Sequence, residues 1–278
     1  MIDIIRSFDE CQDFISDFRR DPDFSDSMLS NEEQMQNNLT QAIEQPEKHT
    51  VWGVYREDRM TGLFSFLILP DEQYMEMLVG LSCDKAAYQE MFAYLKQNFS
   101  NFKADFVFNP INNLLRDQLE ATDAEFEQEQ YKMVLKIPVM PEDTAGAVLY
   151  TPQYEEQYCA IHNQDVYWTG EKIVTAPDRF QTFLAINGSE VVGYLDVTKG
   201  YEENEIFDLF VSEGNRRMGY GRKLLAAAIK MNQPNGLMLT VNVDNLPAIC
   251  LYESMGFLKE ESENSVTAHW IIRKSRKC

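Results

Sequence analysis

Histidine and cysteine are scarce in this chain of 278 residues, and neither is grouped. His49, His162 and His269 lie far apart, and Cys11, Cys83, Cys159, Cys250 and Cys278 are odd in number with no CxxC spacing. That excludes a written zinc site or a disulfide framework. Long hydrophobic runs are also missing. A run such as Thr61 to Pro70 is too short to span a bilayer, and the N-terminal MIDIIRSFDECQDF lacks the basic-then-apolar secretion pattern, so the expectation is a soluble, cytoplasmic protein with no membrane partner. Basic residues are in deficit, 25 against 45 acidic, for a net charge of −20. Such a field repels nucleic acid and favours cationic partners such as amines.

What is present is an ordinary globular composition, 44% hydrophobic and 25% charged, in a chain long enough for two cores at about 150 residues per domain. The stretch Ile137 to Ala147, IPVMPEDTAGA, holds two prolines and a glycine between periodic regions and reads as a domain joint. The predicted domains are residues 1–138 and 139–278. Up to Val139 the chain has 12 basic and 26 acidic residues, and beyond it 13 and 19, so the acid excess sits mainly in the first half.

The second half alternates strands and helices. Strands are expected at Val148 to Thr151, Thr182 to Asn187, Glu190 to Thr198, Asn204 to Val211 and Leu237 to Val243, with two more around Phe257 and over Val266 to Ile272. Helices are expected over Gln153 to Asn163, Gly170 to Arg179, Gly219 to Met231 and Leu246 to Ser254, and Asn187-Gly188 signals a tight hairpin. The first half repeats this plan. Trp52-Gly-Val-Tyr…Thr61-Gly62-Leu-Phe-Ser-Phe66 parallels Phe183-Leu-Ala-Ile…Val192-Gly193-Tyr-Leu-Asp-Val197 at an offset of 131, and Phe106 to Asn112 parallels Leu239 to Asn245 at 133. Two close offsets in one order indicate duplication.

Residues 214–225, GNRRMGYGRKLL, place Arg216, Gly219 and Gly221 between a strand and a helix rich in Leu and Ala. Glycines at a strand-to-helix turn let backbone N–H groups face an anion, and the helix N-terminus adds partial positive charge. Four of the eight residues from Arg216 to Lys223 are basic, in a chain that is otherwise acidic. No Lys-Ser/Thr follows the last glycine, which excludes a Walker A loop, and Leu224 stands at the third glycine of a dinucleotide fingerprint.

These residues resemble a family. Arg216-x-x-Gly219-x-Gly221 is similar to the Q/R-x-x-G-x-G/A signature of the GNAT superfamily of acyl-CoA-dependent N-acetyltransferases. Downstream, Asn245-x-x-Ala248-x-x-x-Tyr252-x-x-x-Gly256-Phe257 looks like the family's next helix. The resemblance covers roughly residues 145–273. It implies an α/β fold, a mostly antiparallel mixed sheet flanked by helices, twice over in a tandem arrangement. It also implies acetyl-CoA as co-substrate without a metal, and a small-molecule or peptide amine as acceptor.

The residues implied to hold coenzyme A are Arg216, Arg217, Met218, Gly219, Tyr220, Gly221 and Arg222 around the pyrophosphate, with Asn242 and Asn245 beside the pantetheine. If the strand ending near Phe210 and Val211 bulges and splays from the strand at Leu237 to Val243, the backbone N–H of Phe210 or of Val211 becomes available to a thioester oxygen. Tyr252 would protonate the departing thiolate, and Glu205 would take the amine proton, with Asp208 as the competing carboxylate on the opposite face by strand alternation. In the first half, the 133 offset sets Cys83 at Arg216, Ala86 at Gly219, Tyr88 at Gly221 and Leu119 at Tyr252, so every chemical position is expected to be lost there. An enzyme is the first reading, and a non-catalytic acyl-CoA-binding module is its rival.

Overall fold

In a computed structural model of the chain, the described residues are 1–18, 32–139, 146–164, 166, 168–260 and 263–273. They form two compact units, residues 1–130 with 261–278, and residues 131–260. The expected joint at 138/139 is therefore displaced, because strands rather than the Pro-rich stretch set the division. Residues 140–145 of that stretch lie outside the described residues.

The first unit contains β1 (Ile2–Ile4), α1 (Gln12–Phe18), α2 (Glu32–Glu44), β2 (His49–Arg56), β3 (Arg59–Leu69), β4 (Tyr74–Leu81), α3 (Lys85–Asn98), β5 (Lys103–Phe108), α4 (Asn113–Glu120) and β6 (Glu125–Phe126). Next come β7 (Gln130–Leu135), β8 (Ala147–Leu149), α5 (Glu155–Ile161), α6 (Gly170–Val174), β9 (Phe180–Asn187), β10 (Glu190–Thr198) and β11 (Glu203–Val211). The chain closes with α7 (Tyr220–Asn232), β12 (Gly236–Asn242), α8 (Leu246–Ser254), β13 (Phe257–Lys259) and β14 (Val266–Ile271). The hairpin β9/β10 forms where predicted, but Asn187 pairs with Glu190, so the turn itself is Gly188-Ser189. The helix expected through Arg179 stops at Val174.

Each sheet has seven strands, in the orders β1-β2-β3-β4-β5-β14-β6 and β13-β7-β12-β11-β10-β9-β8. Read from β1 and from β8, the two orders are the same. The parallel pairs β4/β5 and β11/β12 correspond, and antiparallel pairs flank them. The sixth strand in each order comes from the other half of the sequence: β14 pairs with β5 from Val266↔Phe108 to Ile271↔Lys103, and β7 lies beside β12. No local pattern in β14 distinguishes this pairing from one within its own half.

Helices α3 and α7 pack on equivalent sheet faces for the same reason. Ala87, Tyr88, Met91, Phe92 and Leu95 in α3, and Leu224, Leu225, Ala228 and Ile229 in α7, recur at helical spacing and are buried. Burying each large side chain contributes about 1.5–3 kcal/mol before chain entropy is counted. Gly256, after α8, shows why the predicted Gly-Phe pair is needed. Its φ is +96°, and a Cβ there would collide with the Ile137 carbonyl oxygen.

Candidate active site

In the second unit, β11 and β12 pair in parallel only over Glu203↔Gly236, Asn204↔Leu237 and Glu205↔Met238, although β11 runs on to Val211 and β12 to Asn242. The two strands therefore part after Glu205. A bulge drives the divergence: β11 pairs with β10 at Asp196↔Asp208 and then at Val197↔Ile206, leaving Phe207 as the extra residue. Beyond it, the Ser212 N–H donates to the Val192 carbonyl on β10. Because N–H directions alternate along a strand, Phe210 also points its N–H at β10, whereas Val211 turns its own toward the gap. Of the two expected oxyanion donors, Val211 faces the gap and Phe210 does not.

The bulge also changes the carboxylates. Before it, Ile206 packs into the core beneath α7; after it, Leu209 and Val211 pack against that same core, while Phe210 packs on the opposite cluster with Tyr194. Glu205, Phe207, Asp208 and Phe210 thus share one face, which corrects the expectation that Glu205 and Asp208 lie on opposite ones. Burial raises the Glu205 pKa above the ordinary carboxylate value, against the lowering effect of Lys132. Asp208 accepts a hydrogen bond from the Tyr194 hydroxyl at 2.7 Å.

At the mouth of the gap, Gly219 caps α7 with φ +85° and no side chain to satisfy the first N–H groups of the helix. A Cβ at Gly219 would meet no atom within 4 Å. The turn is open, and its N–H groups and the helix dipole present a site for an anion such as pyrophosphate. Arg217 and Met218 are exposed there, Arg217 in the left-handed region with φ +62°. Tyr220 and Gly221 form the first turn of α7. Arg216 braces the turn, its Nε donating to the Val211 carbonyl at 3.0 Å, and Arg222 ties α7 to α8 through Ser254 Oγ at 2.8 Å.

Tyr252 projects from α8 into the core, 8% exposed, with its ring edge-on to Phe257 at 6.0 Å. Its hydroxyl has no hydrogen-bond partner among the described residues. Burial, with a contribution from the Asp208 charge, pushes its pKa up to about 12, so it is a proton donor at neutral pH. Asn245 is structural, its side chain accepting from Ala248 N–H at 3.3 Å as the N-cap of α8. Asn242 ends β12 and is exposed.

A buried polar column stands behind Asp208, and no local sequence pattern announced it. Asp196, fully buried, accepts from Tyr158 Oη at 3.0 Å and Thr182 Oγ1 at 2.5 Å, and meets His162 Nε2 at 3.2 Å. His162 Nδ1 lies 3.0 Å from the Asn163 carbonyl, which only accepts. Nδ1 is therefore the donor there, and Nε2 shares a hydrogen bond with the Asp196 carboxyl, whose own pKa burial raises. Burial alone would lower the His162 pKa, but these hydrogen bonds and the nearby Asp196 charge hold it above the usual value. Its ring stacks on Tyr194 at 4.7 Å. His162 and Asp196 are 34 residues apart, and only the Asp between apolar neighbours in β10 hinted at the pair.

In the first unit, β4 and β5 also part, after Met77↔Phe106, and Leu78 is bulged. Only three residues, 82–84, join β4 to α3, where eight, 212–219, join β11 to α7. Asp84 caps α3 and its carboxylate accepts from Ala86 N–H at 2.8 Å. Matching the helix caps pairs Asp84 with Gly219, so the 133 offset that set Ala86 there fails across the shortened turn. Tyr88 fills the interior, fully buried and accepting from Asn112 Nδ2 at 2.9 Å. One chemical position survives, contrary to expectation: register pairs Glu76 with Glu205, and burial raises the Glu76 pKa, with the Asp105 charge adding to it.

No curated protein matches the sequence. Residues 142–257 match the sequence model of the Acetyltransferase (GNAT) family. Among solved structures, a GCN5-related N-acetyltransferase from Sphaerobacter thermophilus is similar, with a TM-score of 0.61 at 13% identity over 83% of this chain and 82% of that one. A tandem GNAT protein from the clavulanic acid biosynthesis pathway gives 0.54 at 12%, over 82% and 84%. A GNAT-family acetyltransferase from Colwellia psychrerythraea gives 0.54 at 12%, over 97% and 98%. At these identities the structures share the fold. Among the described residues, no helix is long and apolar enough to cross a membrane.

Proposed function

We propose, from the premise that residues 142–257 form a GNAT acetyltransferase domain, that the second unit transfers an acetyl group from acetyl-CoA directly to a primary amine within a ternary complex. The observation that carries this reading is the parted β11/β12 pair lying beside an uncapped α7 N-terminus at Gly219. Coenzyme A would set its pyrophosphate on the turn from Arg216 to Arg222 and its pantetheine in the gap, contacting Asn242 and the α8 start at Asn245.

In the transfer step, the amine nitrogen attacks the thioester carbon while the Val211 N–H stabilises the oxyanion. Glu205 takes the proton lost by the amine. The carbon–sulfur bond then breaks, and the thiolate receives the Tyr252 proton. The first unit acts as a non-catalytic companion. The net charge of −20 supports a cationic small-molecule or peptide acceptor rather than nucleic acid, and the reading places the reaction in the cytoplasm.

A thiol-release assay with acetyl-CoA and a panel of primary amines tests the proposal. Amine-dependent release of coenzyme A is the expected result. Binding of acetyl-CoA with no release on any amine would favour the non-catalytic acyl-CoA-binding module instead.

A further inference from the structure

The bulge at Phe207 brings an aromatic wall and a carboxylate onto one surface. The Phe207 ring, 37% exposed, rests edge-on against Phe180 at 5.6 Å, and Phe180 against Trp168 at 5.0 Å. Asp208 follows directly. Tyr194 Oη donates to it, and Tyr194 is itself fixed by stacking on His162, on one side, and on Phe210 at 5.7 Å. One donated hydrogen bond leaves a carboxylate with most of its acceptor capacity, and no lysine or arginine pairs with Asp208 among the described residues.

We propose that Asp208, oriented by the Tyr194 hydroxyl, anchors the acceptor's ammonium group, and that the Phe207–Phe180 wall receives an apolar stem, so that the acceptor is a primary amine on an apolar or aromatic stem without a carboxylate. The inference rests on the acetyl-transfer reading and names its substrate class. Asp208 suits this role better than Glu205. Glu205 sits on the last paired rung of β11/β12 and feels the Lys132 charge, whereas Asp208 lies past the divergence and its charge reaches the Tyr252 hydroxyl. That hydroxyl has no hydrogen-bond partner among the described residues and, unlike Ser65 Oγ, is not sealed from solvent, so a ligand can reach it. An acceptor carboxylate would meet Glu205 and Asp208 together. The cations flanking this face are engaged, Lys132 with Glu203 at 3.8 Å and Arg179 over the Trp168 ring at 4.7 Å.

The test is calorimetry on the full chain saturated with coenzyme A, which permits no turnover, using 2-phenylethylamine, phenylalanine and 3-phenylpropionate as probes. We expect 2-phenylethylamine to bind, phenylalanine to bind at least about tenfold more weakly, and 3-phenylpropionate not to bind. Asp208→Asn should weaken 2-phenylethylamine about tenfold and Tyr194→Phe about threefold, while Glu205→Gln changes it less than about threefold. Phe207→Ala, at an exposed position, should weaken the aromatic amine and leave methylamine unchanged. Equal affinity in wild type and Asp208→Asn, no binding of 2-phenylethylamine, or equal binding of 3-phenylpropionate would overturn the assignment. The coenzyme A affinity from the saturating titration reports separately on the acetyl-transfer reading, whose failure would appear as no coenzyme A binding.

Discussion

The two units share one sheet order and one bulge and differ in what stands at the divergence that the bulge creates. In the second unit, eight residues lead into a helix capped by a bare glycine; in the first, three residues lead into a helix capped by Asp84. The same helix end that offers N–H groups to an anion in one case has them satisfied by a carboxylate in the other, and that carboxylate repels phosphate. The opposite face diverges in parallel. Where the second unit has Tyr194, Asp196 and Asp208, register gives the first unit Leu63, Ser65 and Val79. Ser65 is fully buried and its hydroxyl has no hydrogen-bond partner among the described residues, a polar position without the network of its counterpart. The first unit keeps the sheet order and an apolar core of its own without the open turn and without the polar face of the second.

The largest expected effect sharpens the contrast at the turn. Gly219→Val forces a branched residue into φ +85° and dismantles the N–H array. With two hydrogen bonds to a charged group at about 2 kcal/mol each, acetyl-CoA affinity should fall about 10³-fold by calorimetry while the unfolding transition persists. Unchanged affinity in a folded variant would break the comparison. Next, Tyr252→Phe should lower turnover about 10²-fold with acetyl-CoA affinity retained, because a proton donor acts in the transition state and the ring still packs. Wild-type turnover would mean that water protonates the thiolate.

A smaller effect concerns pH. As a base, Glu205 works only when ionised, so activity is lost as pH falls through its pKa; since burial raises that pKa, the acid limb of kcat/KM should lie above the ordinary glutamate range. Glu205→Gln should abolish the limb, and an unmoved limb would remove Glu205 from the mechanism. The smallest is structural: Asp84→Ala should cost about 1 kcal/mol in denaturant unfolding through the lost cap and should create no second coenzyme A site, because the turn remains three residues long.

Much of the fold and of the turn was legible in the sequence, because their determinants are local. Helical spacing in Leu224 to Ile229 and the Gly219 turn each act over a few residues, and the strands of both halves follow from alternation, whereas Asn245, read as a pantetheine contact, caps α8. Three features were not legible. The exchange of β7 and β14 depends on which sheet edge is free, a long-range matter that local pattern does not encode. The bulge at Phe207 inverts the face of every later residue in β11, so alternation assigned Asp208 to the wrong side. The repeat offset held at Asn112 and Asn245, both helix caps, and failed at Asp84 and Gly219 because five residues of loop separate the two turns.

The proposal of one coenzyme A site, in the second unit, makes a stoichiometric difference between the two units. Titration of the full chain with acetyl-CoA by calorimetry tests it most directly: the predicted stoichiometry is one per chain, abolished by Gly219→Val, and a stoichiometry of two, or one that survives in a folded Gly219→Val protein, would contradict it.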